Sequence, residues 1–203
     1  MIMGACSDDQ SIVKAARIVM DGGVIVFPTD TVYGIGCDPY NAEAVSRVYD
    51  IKSRDLSKPL PVLVDSIRTA RSMAVMDGRV LRMAERFWPG PLTIILKVLD
   101  KRLAGSLYLK EQDGIALRIP DHRCALRLLD ACKAIAGTSA NLSGMGSTGD
   151  PSVCAEAMTG CDMILDGGVI QEPAESTIVD ARDGRITVIR EGKKLGLREI
   201  AGS

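Results

Sequence analysis

The chain has 203 residues, which allows one domain with a sizeable core or two small ones. Hydrophobic residues make up 46% and aromatics only 3%, so the interior is aliphatic; a formal net charge of −1 argues against a constitutive, non-specific nucleic-acid binder, while leaving room for a local basic face. One histidine, His122, and six cysteines (6, 37, 124, 132, 154 and 161) without any C-x-x-C pair provide no zinc-site spacing, and reduced thiols in a cytoplasmic protein are the expectation.

No apolar run approaches the ~20 residues of a membrane span, and MIMGACSDDQ lacks the features of a signal peptide. Ile12, Ala15, Ala16 and Val19 fall at helical spacing behind Ser7 and Asp8, and Gly22-Gly23 ends the pattern. Residues 24–27 suit a buried strand that Pro28 stops; a polar loop follows, with Thr29, Asp30, Thr31, Tyr33, Gly34 and Gly36. A helix is predicted from an Asn41 cap to about Lys52, then a strand over 60–64. Asp65 or Ser66 caps a helix carrying Ile67, Ala70 and Ala74, and Asp77 caps another with Val80, Ala84 and Phe87 on one face. Trp88-Pro89-Gly90-Pro91 is a stop, 92–99 a strand and 100–113 a charged loop.

A strand is expected over 114–119, then a helix capped by Asp121 with Ala125, Leu128 and Cys132 inward, then a short strand over 134–136. The loop 137–149 is rich in glycine and hydroxyls, and Asp150-Pro151 opens a helix. Residues 163–165 read as a strand, and 177–180 with 186–190 flank Asp183-Gly184 as a hairpin. The charged tail from Glu191 reads as helical around 195–200. Strands alternate with helices, so the class is α/β: one domain, its twisted sheet made mixed by the hairpin and flanked by helices.

Four features carry candidate chemistry. Lys52, Arg54 and Lys58 place three cations in seven residues behind the first polar loop, where they can grip a polyphosphate; a solvated helix end is the bland alternative. Arg118 sits in an apolar strand, so it either points to water or forks a buried anion such as an amino-acid carboxylate. The second polar loop supplies Thr138, Ser139, Asn141, Ser143, Ser147 and Thr148. It also contains Gly144-x-Gly146-x-x-Gly149, but the dinucleotide fingerprint should open directly from strand into helix, and here it does not. Neither a P-loop nor a G-x-S-x-G serine elbow occurs, so His122 reads as structural or solvent-facing. Glu175-Ser176-Thr177 and Arg190 complete the set.

Together these pieces resemble the YrdC family of threonylcarbamoyl-adenylate synthases. The matching runs are PTDTVYGIG (28–36), K-x-R with a following Lys-Pro (52–59), WPGPLT (88–93), RIPDH (118–122), TSANLSG (138–144) and STIVD (176–180), with Arg190 beyond, in family order over nearly the whole chain. The resemblance implies a YrdC-like fold with a concave basic face and a reaction of L-threonine, bicarbonate or CO2, and ATP to threonylcarbamoyl-AMP and pyrophosphate. It implies that Thr31, Arg118, Thr138 and Ser176 contact threonine. Arg54, Lys58, Ser139, Ala140, Asn141, Thr148 and Arg190 fall to the nucleotide, and Lys52 and Arg54 to catalysis. Mg2+ is expected with ATP and no organic cofactor; the implied partners are a downstream tRNA threonylcarbamoyl transferase and tRNA or double-stranded RNA. Asp55 stands where family members usually have proline, and Leu63 where longer relatives, which carry a second C-terminal domain, have a histidine. A non-catalytic RNA-binding or ribosome-maturation module is the reading from another class, and a nucleotide-cofactor oxidoreductase the third.

Overall fold

A computed structural model describes residues 1–109, 114–142, 146, 148–196 and 199–200. Ten strands among the described residues form one sheet: β1 (Ile2–Ala5), β2 (Ile25–Pro28), β3 (Tyr33–Cys37), β4 (Val62–Val64), β5 (Leu92–Lys97), β6 (Gly114–Arg118), β7 (Ala134–Ser139), β8 (Met163–Asp166), β9 (Thr177–Asp180) and β10 (Thr187–Arg190). Their spatial order is β1-β8-β2-β3-β7-β4-β6-β5-β9-β10. The pairs β1/β8, β2/β8, β4/β6 and β5/β9 are parallel and the other five antiparallel, so the expected mixed sheet is present.

The helices are α1 (Asp9–Met20), α2 (Ala42–Lys52), α3 (Ile67–Met73), α4 (Gly78–Phe87), α5 (Arg102–Ser106), α6 (Arg123–Cys132) and α7 (Pro151–Ala157). Most begin on the side chain that the sequence offers. Asp8, Asn41, Ser66, Asp77 and Asp150 each accept from a backbone N–H of the first turn. The exceptions are α5, whose cap Lys101 makes no side-chain bond, and α6, whose cap His122 makes none either, while the cap expected there, Asp121, gives its own N–H to Asp30.

Alternation along the strands divides the core into two. Val26 joins a large cluster with Val45, Val48, Met83, Ile94 and Leu117, whereas its neighbours Ile25 and Phe27 join a smaller one with Ala16, Val19, Leu128 and Leu129. Helices α1 and α6 therefore cover one face, and α2, α3, α4 and α5 pack into the other. Over β4, β6, β5 and β9 the face shared with α1 and α6 stays open. There Leu63, Ala116, Arg118, Ile95 and Ile178 line a cavity, while Val62, Leu117, Ile94 and Val179 point into the large core.

Several expectations are corrected. β3 replaces part of the first polar loop, because Gly36 serves a close strand contact instead of a turn: a Cβ there would lie 2.6 Å from the Ala136 carbonyl oxygen. β7 extends to Ser139, three residues past its expected end, through the same contact. β1 was hidden in an exposed amino-terminal run, and α5 in the charged segment, where Asp100 accepts from the Arg102 N–H. Gly192 and Leu195 form an isolated bridge, and 199–200 are helical; Leu197 and Arg198, like 110–113, 143–145 and 147, lie outside the described residues.

The thiols are also corrected. Cys6 and Cys124, 118 residues apart in sequence, form a disulfide; Cys37, Cys132, Cys154 and Cys161 are free. Spacing could not reveal this pair, because it depends on α1, which begins just after Cys6, packing against α6, whose first turn carries Cys124. Burial pushes the Cys37 and Cys154 thiols up to about 12, which keeps them protonated and unreactive. No described helix is long and apolar enough to cross a membrane.

Candidate active site

The cavity has a volume of about 320 Å3 and is walled by segments from Phe27 to Arg190. Its first wall is the turn between β2 and β3. The Thr29 hydroxyl donates to the Val32 carbonyl at 2.6 Å and accepts from the N–H groups of Thr31 and Val32, which closes the turn. Thr29 and Thr31 hydroxyl oxygens lie 2.9 Å apart. Since the Thr29 proton is already given to Val32, the Thr31 hydroxyl donates to Thr29 and accepts from Arg118 Nη1 at 2.8 Å. One lone pair on Thr31 is left, so this hydroxyl suits a ligand that donates, such as an amine.

Arg118 ends β6 and is only 5% exposed. Its guanidinium is held at three corners: Nε donates to the Gly90 carbonyl at 2.9 Å, Nη1 to Thr31, and Nη2 to Asp30 Oδ1 at 2.5 Å. The Trp88–Pro91 stop thus contributes a carbonyl that aims the arginine. Burial holds the Arg118 pKa below its ordinary value, the Asp30 carboxylate works against that, and nearby Arg190 adds to it. The group stays cationic in all cases.

On the opposite wall Ser176 lies 2.8 Å from Thr93, hydroxyl to hydroxyl. Arg190 donates through Nε and Nη2 to the Ser176 carbonyl, and its Nη1 pairs with Glu175. Arg54 reaches the same cavity after α2 ends at Ser53, which adopts the left-handed conformation; Arg54 Nε donates to the Lys58 carbonyl at 3.0 Å. Thr138 and Ser139 close the remaining side at the end of β7. A floor of aliphatic side chains, two guanidiniums, several hydroxyls and a third, nearly enclosed guanidinium make this a hollow for an anion with an apolar neighbour.

The family model Sua5_yciO_yrdC, described as telomere recombination, matches residues 17–192. The chain belongs to the Sua5/YciO/YrdC family. Among curated Sua5/YciO/YrdC relatives, the threonylcarbamoyl-AMP synthase of Pyrococcus abyssi is 34% identical over 92% of this chain and 55% of its own length. The threonylcarbamoyl-AMP synthase of Xanthomonas axonopodis pv. citri is 35% identical, over 89% of this chain and 98% of its own length. The crystal structure of P. abyssi Sua5 complexed with L-threonine superposes with a TM-score of 0.87 at 32% identity, covering 99% of this chain and 59% of that one. The chain thus spans about half the length of the archaeal relative.

Of the residues singled out from the sequence, Thr31, Arg54, Arg118, Thr138, Ser139, Ser176 and Arg190 share the Sua5/YciO/YrdC cavity. Lys52, Lys58, Ala140, Asn141 and Thr148 do not line it. Lys52 is 2% exposed, and its ammonium donates to the carbonyls of Ser139 and Asn141; burial first, and Arg54 second, pull its pKa down to about 8. It ties the end of α2 to the turn after β7. Lys58 is exposed, Ala140 is buried with its N–H on the Tyr33 carbonyl, and the Thr148 hydroxyl accepts from the Asp150 N–H. The Asn141 amide donates to the Leu142 carbonyl.

The two departures have local answers. Asp55 accepts from the Ser57 N–H at 2.8 Å and so shapes its own turn, and Leu63 adds apolar floor. Gly149 of the discounted glycine pattern serves packing, since a Cβ there would lie 2.4 Å from the Ile170 carbonyl oxygen. His122 is half-buried and stands apart from the cavity lining; burial lowers its pKa, and its Nδ1 has no hydrogen-bond partner among the described residues. Sequence reasoning named Asp30 in the first polar loop but not as the partner of Arg118, and it missed Thr93 in the cavity wall. Each lies inside a quoted motif, which is a signal of place but not of partner.

Proposed function

We propose that the chain makes threonylcarbamoyl-AMP from L-threonine, bicarbonate or CO2, and ATP, with release of pyrophosphate. The observation that carries this is one cavity holding the Arg118–Thr31 pair on one wall and Arg54 and Arg190 on the others. An amino acid needs a cation for its carboxylate and an acceptor for its amine; a nucleotide needs cations for its phosphates. A volume of about 320 Å3 falls within the range of about 300–1,000 Å3 usual for small-molecule sites. The similarity to relatives named threonylcarbamoyl-AMP synthase, and to P. abyssi Sua5 crystallised with L-threonine, supports the same reading.

In this reading the neutral amine of threonine takes up CO2 with release of its proton to solvent, or bicarbonate with loss of water, to form a carbamate. A carbamate oxygen attacks the α-phosphorus of ATP, the bond to the β-phosphate breaks, and pyrophosphate leaves with the electron pair. Arg118 and the Thr31 hydroxyl orient the amino acid; Thr138 and Ser176 border it. Arg54 and Arg190 offset the charge that builds on the leaving group, with the magnesium that enters as part of MgATP. Lys52 acts on the Ser139–Asn141 turn beside the phosphates, and Lys58 and Thr148 meet the nucleotide from the rim. The product is a mixed anhydride, whose threonylcarbamoyl group a partner transferase moves to the adenosine beside the tRNA anticodon.

The test is pyrophosphate release from MgATP and bicarbonate with and without L-threonine. Threonine-dependent release, lost in Arg118→Ala and Arg54→Ala variants that still fold, is the expected result. Release that ignores threonine, or ATP left intact, would refute the reading.

A further inference from the structure

Arg118 is a cation that the fold encloses almost completely, and an enclosed cation needs a counter-charge. Besides Asp30, the charge that acts on it is Arg190, which repels it. Asp30 therefore supplies the neutralising carboxylate. It lies outside the cavity wall, although Thr29 and Thr31 on either side of it are part of that wall.

Asp30 is itself held. Its Oδ1 takes the Arg118 Nη2 proton and, at 3.1 Å, the N–H of Asp121, which follows β6. Its backbone carbonyl accepts from Lys194 Nζ at 2.5 Å, so the segment after β10 braces the same turn. Arg118 has five N–H donors, and Gly90, Thr31 and Asp30 take three of them. One N–H on each Nη stays available, and where those two point depends on which way Asp30 turns the guanidinium plane.

We propose that Asp30 is a positioning residue: it sets the guanidinium of Arg118 to fork the carboxylate of the amino-acid substrate, without touching that substrate. The inference rests on the synthase reading. Under it, loss of Asp30 weakens amino-acid binding and leaves nucleotide binding alone, because Arg54 and Arg190 are anchored independently on the Lys58 and Ser176 carbonyls. A purely structural ion pair would instead lower stability and move both substrates together.

The experiment measures threonine-dependent pyrophosphate release and the KM for each substrate, with melting temperature, in wild type and in Asp30→Ala, Asp30→Asn and Asp30→Glu. In Asp30→Ala the threonine KM rises about ten- to a hundredfold, as for a lost charge-assisted bond, and the ATP KM stays within about twofold. Asp30→Asn keeps an oxygen acceptor for both Arg118 and Asp121, and restores the threonine KM to within about threefold. Should Asp30→Ala fail to fold, Asp30→Glu decides: the added methylene displaces the fork and raises the threonine KM at least about fivefold. An unchanged threonine KM in Asp30→Ala or Asp30→Glu overturns the proposal, as does an equal rise in both KM values. A rise in Asp30→Asn as large as in Asp30→Ala also overturns it, since charge and not geometry would then be responsible. A wild type indifferent to threonine sinks the synthase reading and this inference with it, whereas an active wild type beside unaffected variants sinks this inference alone.

Discussion

Lys52 illustrates how one residue can be legible in type but not in task. As a cation at the last turn of α2 it invites a phosphate, yet in the fold its ammonium is enclosed by the carbonyls of Ser139 and Asn141. The enclosure has a consequence for stability. Burial lowers its pKa from 10.5 to about 8, so between those values the folded state carries fewer protons there than the unfolded chain. Stability contributed by this residue therefore rises with pH across the window, by roughly 3 kcal/mol at most. Buried Tyr33, raised to about 12, and the free thiols pull the other way at alkaline pH. The difference between wild type and Lys52→Met isolates the lysine. Urea unfolding from pH 7 to 10 is expected to show wild type gaining on the variant as pH rises; parallel curves would mean that the ammonium is not desolvated.

At the scale of elements, most helices were readable because capping and apolar spacing are local properties. The Asp8, Asn41, Asp77 and Asp150 caps, and the buried positions Ile12, Ala15, Ala16 and Val19, need no tertiary information. β3 was not readable, for a physical reason. Glycine normally marks a turn, but at the Gly36–Gly137 pair β3 and β7 approach so closely that a side chain is excluded. A Cβ on Gly137 would lie 2.7 Å from the Ile35 carbonyl oxygen and 3.3 Å from Gly36 Cα, and both neighbours are backbone. Gly137→Ala is therefore expected to cost about 1–3 kcal/mol in urea unfolding, and to shift Thr138 and Ser139 enough to lower activity. Gly105, inside α5, meets nothing within 4 Å, so Gly105→Ala serves as the control and is expected to be neutral or to stabilise by up to about 1 kcal/mol. Equal stability of the two variants would show that the β3/β7 contact yields readily. The pairing of Asp30 with Arg118 was equally closed to sequence reasoning: the motifs say that each is present, but only β6 meeting the β2–β3 turn says that they touch.

Over the whole molecule the cavity is assembled from segments between Phe27 and Arg190, and two long-range ties hold those segments in place. One is the tail: the buried Thr177 hydroxyl donates to the Leu195 carbonyl and accepts from the Gly192 N–H, while Lys194 reaches Asp30. The other is the Cys6–Cys124 disulfide, which joins the end of edge strand β1 to the first turn of α6, six residues beyond Arg118. A cross-link over 118 residues restricts the unfolded chain far more than the folded one, and such links typically contribute about 2–4 kcal/mol. Their effects on the site should differ. Arg118 keeps its bonds to Gly90, Thr31 and Asp30 whether or not the sulfurs are joined, so opening the disulfide is expected to lower stability without moving the threonine KM. Urea unfolding with and without a thiol reductant measures the first, and threonine-dependent pyrophosphate release in the same buffers measures the second. Cys6→Ser supplies the control, since a protein without the bond has nothing further to lose to reductant. A wild-type midpoint indifferent to reductant would mean that the two cysteines are not joined in solution. A threonine KM that rises on reduction would mean that α6 aims Arg118 through the chain, and that the three bonds at its guanidinium do not hold it alone.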